Sequence, residues 1–154
     1  MVNQKIIGIN VHLWKISASA IFDQMNSNIA PYRSYSLNFS YTDNLYNRMS
    51  TNISGNIMKV INFDTGINNF NSSLSGYVNY QLLNWILLNF EGNYRYNNFA
   101  SNIYLQYLYL KFDLKINYYN TLITLGYNFY YTGYPGTSSN YRGLNLKLER
   151  AFGY

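Results

Sequence analysis

The stretch Arg142–Tyr154 reads RGLNLKLERAFGY. Leu144, Leu146, Leu148, Phe152 and Tyr154 take alternate positions, and Gly143, Asn145, Lys147, Glu149, Ala151 and Gly153 fill the places between them. Successive side chains of a β-strand leave opposite faces, so this stretch is a strand with one apolar and one polar face. Arg150 is the exception on the apolar side.

The same design recurs upstream. Tyr35, Leu37, Phe39 and Tyr41 alternate with Ser34, Ser36, Asn38 and Ser40. Met49, Thr51, Ile53, Gly55 and Ile57 alternate with Ser50, Asn52, Ser54 and Asn56, in a segment that runs on to about Phe63. Phe70, Leu74, Gly76, Val78, Tyr80 and Leu82 oppose Asn71, Ser73, Ser75, Tyr77, Asn79 and Gln81. A tight reversal at Leu83–Asn84 leads to Ile86, Leu88, Phe90, Gly92, Tyr94 and Tyr96, set against Asn89, Glu91, Asn93 and Arg95. Leu108 to Ile116 and Ile123 to Tyr131 repeat the pattern. The first segment, about Lys5–Phe22, changes phase at Leu13–Trp14. A one-residue slip turns the face over, so a bulge or a break lies there, in one bent strand or two short ones.

Charged residues make up only 11% of the chain, against a typical ~25%. A water-facing surface normally needs more. In their place stand Asn, Ser and 19 Tyr, a side chain suited to the level where lipid meets water. No run approaches the ~20 apolar residues of a spanning helix, so a membrane reading must use strands. A spanning sheet must close, because an open backbone edge in lipid is left without hydrogen bonds. The segments exceed the ~5–6 residues of an ordinary strand and match the ~9–11 of a spanning one. The expected fold is therefore all-β: one domain over residues 1–154, an antiparallel up-and-down transmembrane β-barrel of about eight strands. The polar stretches Asp23–Arg33, Asp64–Asn69 and Gly133–Asn140 read as long loops, with short reversals between them. That alternation places both termini at the short-turn end.

The net charge of +5 comes from scattered Lys and Arg with no basic run, which argues against a nucleic-acid partner. The absence of Cys excludes disulfides, thiolate metal sites and Cys nucleophiles. Near the start, Lys5 precedes a weakly apolar segment, and Ala18-Ser19-Ala20 resembles a leader cleavage site. Asn10, His12 and Lys15 interrupt that segment, so a first strand fits it better than a signal peptide.

The chain resembles the small eight-stranded outer-membrane β-barrels of Gram-negative bacteria, over nearly its whole length as a pattern. The most specific part is the closing strand: Leu144, Leu146, Leu148, Phe152 and Tyr154 match an alternating apolar strand with a terminal aromatic. The resemblance implies a bacterial outer-membrane location and a surround of lipid bilayer and lipopolysaccharide. It also implies insertion by the barrel-insertion machinery and a non-enzymatic role: structural, adhesive or weakly pore-forming (porin-like). The Asn- and Tyr-rich composition also resembles barrel segments of larger outer-membrane proteins, so a fragment or subunit of a larger channel or transporter, with other outer-membrane subunits as partners, is the alternative. A soluble extracellular β-sandwich used for binding is a second alternative, since alternating strands fit it too.

The polar face carries Glu91, Arg95, Lys111, Asp113, Lys115, Lys147 and Glu149. A small barrel has an interior just wide enough for side chains, and charges buried there must be paired. The expectation is a structural network, with a narrow ion path or gate as its functional counterpart. Tyr35, Tyr41, Trp85, Tyr94, Tyr96 and Tyr131 lie near strand ends, where membrane-interface aromatics belong. The alternative use of such aromatics is a stacking platform for sugars or bases. His12, the single His, would need a Ser from Ser34–Ser40 for catalysis, and nothing in the spacing selects one. The six carboxylates form no ligand motif, and no phosphate loop occurs, so no metal and no cofactor are expected.

Overall fold

Among the described residues, period-two alternation produces nine strands: β1 (Asn3–Leu13), β2 (Ile16–Asn26), β3 (Tyr32–Leu45), β4 (Met49–Asn62), β5 (Asn68–Leu83), β6 (Ile86–Ala100), β7 (Ile103–Tyr118), β8 (Thr121–Tyr134) and β9 (Thr137–Arg150). The structure, a computed structural model, describes residues 2–45, 48–100 and 103–150, the side chains of Leu45 and Ala100 excepted. Phe152 and Tyr154 of the expected closing strand lie outside the described residues. The strands pair antiparallel in chain order as one up-and-down sheet.

The ninth strand comes from the phase change near Leu13. It is neither bulge nor bend but a hairpin turn of Trp14 and Lys15, with Leu13 opposite Ile16. Trp14 takes φ 49°, and Tyr119 does the same (φ 51°) at the β7–β8 turn. Positive φ at the first turn residue suits the right-handed twist of the flanking strands, at some steric cost for a side chain larger than glycine.

The long loops read from the polar stretches are corrected to short connections. Asp23 lies within β2, accepting from Tyr32 Oη at 2.7 Å and Gln4 Nε2 at 3.2 Å, and only residues 27–31 remain as a loop. The second loop narrows to residues 63–67. Gly133–Asn140 is a continuous hairpin turning at Pro135–Gly136, where Pro before a glycine at φ 78° is a type II arrangement. Polar strand ends lack the alternation that would have announced them.

The sheet is open. β1 and β9 are its two edges, and each contacts a strand on one side only. They run in the same direction, so β1 begins at one end of the sheet and β9 finishes at the other, which corrects the expectation of both termini at one end. The end holding the Trp14–Lys15 and Asn84–Trp85 turns is called the tryptophan end below.

Register keeps the two faces apart. Starting at Val11, the pairing row runs through Ala18, Phe39, Gly55, Leu74, Tyr94, Leu108 and Tyr131 to Asn140. The neighbouring inward row holds Asn10, Ser19, Asn38, Asn56 and Ser73. Among the described residues no hydrophobic side chain is buried. Instead the polar face is knitted by hydrogen bonds between strands: Ser17 to Ser40 (2.6 Å), Asn38 to Ser19 (3.0 Å) and Ser54 to Ser75 (2.9 Å). Those small residues are half-buried while Leu37, Phe39 and Ile57 opposite them are exposed, as on a sheet curled with its polar face inside. On the outside, the Phe39 ring lies over Gly55, where a Cβ would collide with it.

Candidate functional site

The outer face carries an apolar band with charged limits. On β3, Arg33 and Asp43 bracket Tyr35, Leu37, Phe39 and Tyr41; on β9, Arg142 and Arg150 bracket Leu144, Leu146 and Leu148. Arg150 thus stands at the edge of the band, opposite Thr121, and does not interrupt it. Between Arg33 and Asp43 the strand advances about 33 Å.

The band crosses the strands obliquely. Its outward apolar residues on β1 are Ile7, Ile9, Val11 and Leu13, and the pairing rows from the two central ones, Ile9 and Val11, arrive on β9 at Ser138 and Asn140. The centre of the band on β9 is Leu146. That displacement is about 20–26 Å along the strand against about 38 Å across the sheet, so the strands incline by about 28–35° to the normal of the band.

Aromatic residues mark both limits. Tyr35, Tyr94, Tyr96 and Tyr131 face outward at the end opposite the tryptophans, with ring pairs Phe22–Tyr35 (5.3 Å between centroids) and Phe70–Tyr96 and Tyr96–Tyr104 (6.2 Å each). At the tryptophan end stand Tyr41 and the turn residues Trp14 and Trp85, Trp14 being 85% exposed. A cluster that the sequence did not announce closes this end. Lys15 Nζ lies 2.5 Å from Asp43 Oδ1 and 4.0 Å from the Trp14 ring centroid, and Tyr41 Oη donates to Asp43 Oδ2 at 2.8 Å. Lys15 sits in a turn and meets Asp43 only through the β2–β3 pairing.

On the inner face the expected charge network divides. Lys111 Nζ pairs with Asp113 at 2.9 Å, and Asp113 is 5% exposed. Gly126 makes the room: a Cβ there would collide with Asn145 and crowd Asp113. Glu91 lies directly across from Lys111 in the register, on the exposed side of that pair. Lys115 Nζ reaches Asn89 Oδ1 at 3.0 Å, with the Asn89 amide turned so that its nitrogen donates to Asn79. Arg95 sits beside Tyr107, two inward rows from Glu91 and Lys111. Lys147 and Glu149 pair with each other at 2.7 Å on the edge strand, both exposed. The two ion pairs are therefore separate, because each joins residues of one strand and not of neighbouring strands. Glu91→Gln should shift unfolding in detergent by no more than about 0.5 kcal/mol. Asp113→Asn, which leaves a buried group short of its partner, should cost about 1–3 kcal/mol. Equal costs for both, measured by urea titration, would put Glu91 inside the network after all.

His12 faces inward opposite Ser17, and Ser34–Ser40 lie one strand further away than the sequence reading supposed, because β2 intervenes. Ser17 shares its hydrogen bond with Ser40. Among the described residues no group of three His, Asp or Glu could hold a metal ion.

The inner face also bears tyrosines that an interface girdle does not account for: Tyr77, Tyr107, Tyr109, Tyr130 and Tyr141. Sequence alternation had already placed Tyr77, Tyr109 and Tyr130 with the polar residues, but only the register shows that Tyr109, Tyr130 and Tyr141 form one row. Comparison of the chain with protein-family models, with curated proteins and with solved structures finds no match.

Proposed function

We propose that this chain forms part of the wall of a bacterial outer-membrane β-barrel, non-enzymatic, whose apolar band meets lipid and whose polar face lines a lumen. The observation that carries the reading is the oblique outer band. Spanning barrel strands tilt by ~35–45°, and their outward apolar band is ~25 Å tall with aromatic girdles at both limits. The band found here has girdles at both limits and an inclination of about 28–35°, at which the run from Arg33 to Asp43 rises about 27–29 Å. A water-soluble sheet would need a second layer over Leu37, Phe39 and Phe112, all of which are exposed.

The open edges favour the larger-barrel alternative over a complete small barrel. Because β1 and β9 point the same way, an all-antiparallel closure takes an odd number of further strands between them. In lipid those edges cannot stay bare. Other outer-membrane strands are thus the first partners of the chain, and lipid with lipopolysaccharide the surround.

Refolding the chain in detergent and running it unheated and boiled on a gel tests this. The expected result is β structure in detergent, aggregation in plain buffer and no compact heat-sensitive species. A compact species that shifts on boiling would return the reading to a self-closing small barrel. Well-dispersed β structure in plain buffer would remove the membrane reading altogether.

A further inference from the structure

On the polar face, Tyr109, Tyr130 and Tyr141 stand in one register row across β7, β8 and β9, with ring centroids 4.9 and 5.9 Å apart. Beside the row, a concavity of about 490 Å³ is lined by Glu91, Asn93, Arg95, Tyr107 and Tyr109 among others. Asn93 lies directly opposite Tyr109, and its side-chain oxygen is buried without a protein partner. Asn128, two residues before Tyr130 on the same face, has an equally orphaned oxygen.

From this arrangement we infer that the polar face binds a neutral saccharide along the tyrosine row. The inference rests on the reading of that face as a lumen wall. Three features select the ligand class. Three aromatic rings in one row, spaced by about the length of one sugar ring and tilted by 31° and 48° to one another, suit a ligand with repeated apolar C–H faces. The amide and hydroxyl side chains that line the concavity, Asn93, Asn97 and Thr132 with the Tyr hydroxyls, suit a ligand rimmed with hydroxyl groups, which both donate and accept. The charges at hand are of both signs, Glu91 and Asp113 against Arg95 and Lys111, so the site offers no net field to hold an anionic chain such as a nucleic acid. The ring contacts of Tyr130 with Tyr109 and Tyr141 restrain these side chains before a ligand arrives, so they lose little freedom on binding.

Titration calorimetry of the protein in detergent micelles with maltohexaose, cellohexaose and chitohexaose tests the site. At least one should bind saturably. Tyr130→Ser should weaken it by about tenfold or more, the order expected for losing one stacking partner. Tyr130→Phe should keep most of the affinity, and Tyr94→Ser, on the outer face, should leave it unchanged. Circular dichroism of each variant separates lost binding from lost folding. No saturable binding of any of the three sugars by a folded chain, or equal affinity in folded Tyr130→Ser and the parent, overturns the site and leaves the barrel reading standing. Failure of the parent to hold β structure in detergent overturns both.

Discussion

Phe112→Arg should cost about 2–4 kcal/mol of stability in lipid vesicles, the range for a cation placed at the bilayer midplane on the outside of a barrel. Phe112 is the position to choose because it lies at the centre of the oblique band on β7, opposite Phe90 and Tyr127 in the pairing row. Its side chain is already exposed, so no packing against another layer is removed. In water an exposed Phe exchanged for Arg is nearly neutral or even favourable, since surface changes usually stay within about 0.5 kcal/mol. The large penalty therefore arises only if the outer face is solvated by hydrocarbon. Tyr35→Arg, at the limit of the band on β3, should cost only about 0–1 kcal/mol, because the penalty fades toward the interface. The emission of Trp14 and Trp85 during urea titration in vesicles reports both variants without added labels. Equal stability of Phe112→Arg and the parent chain would mean that lipid does not cover this face.

The second large effect is expected from the smallest substitution. Gly126→Ala should destabilise the β7–β8–β9 region by about 1–3 kcal/mol, as forced overpacking does. Asn145 and Asp113 both occupy the space that the new methyl group needs, one from each neighbouring strand. Asp113 turns Oδ1 toward the methyl and holds Lys111 through Oδ2 at 2.9 Å, so moving the carboxylate aside strains the contact of a buried ion pair. The double variant Gly126→Ala with Asp113→Ala separates the two contributions, since coupled neighbours do not add. If the double variant is no more stable than Gly126→Ala alone, the collision with Asn145 carries the cost. If the single variant matches the parent in urea titration, Gly126 is not needed for the close approach of these strands.

Period-two alternation was enough to determine the all-β antiparallel class, the division into an apolar and a polar face, and the face of each residue within the regular runs such as Tyr35–Tyr41, Ile86–Tyr96 and Leu108–Ile116. That information is local: each side chain's face follows from its parity along its own strand. The phase change at Leu13–Trp14 was equally visible, but a bulge and a two-residue hairpin invert parity alike, so the ninth strand waited on the Leu13–Ile16 pairing. Polar strand ends such as Asp23–Asn26 carry no alternation, and they read as loops until Tyr32 and Gln4 were found holding Asp23. Partner choice lay further out of reach. Lys111 meets Asp113 on its own strand, and Lys15 meets Asp43 across two strands, because register and side-chain length decide which charges touch. The inclination of the band, the row of Tyr109, Tyr130 and Tyr141, and the two free edges that run the same way are properties of how strands are staggered against one another. No single strand contains them, and only the tertiary structure decides them.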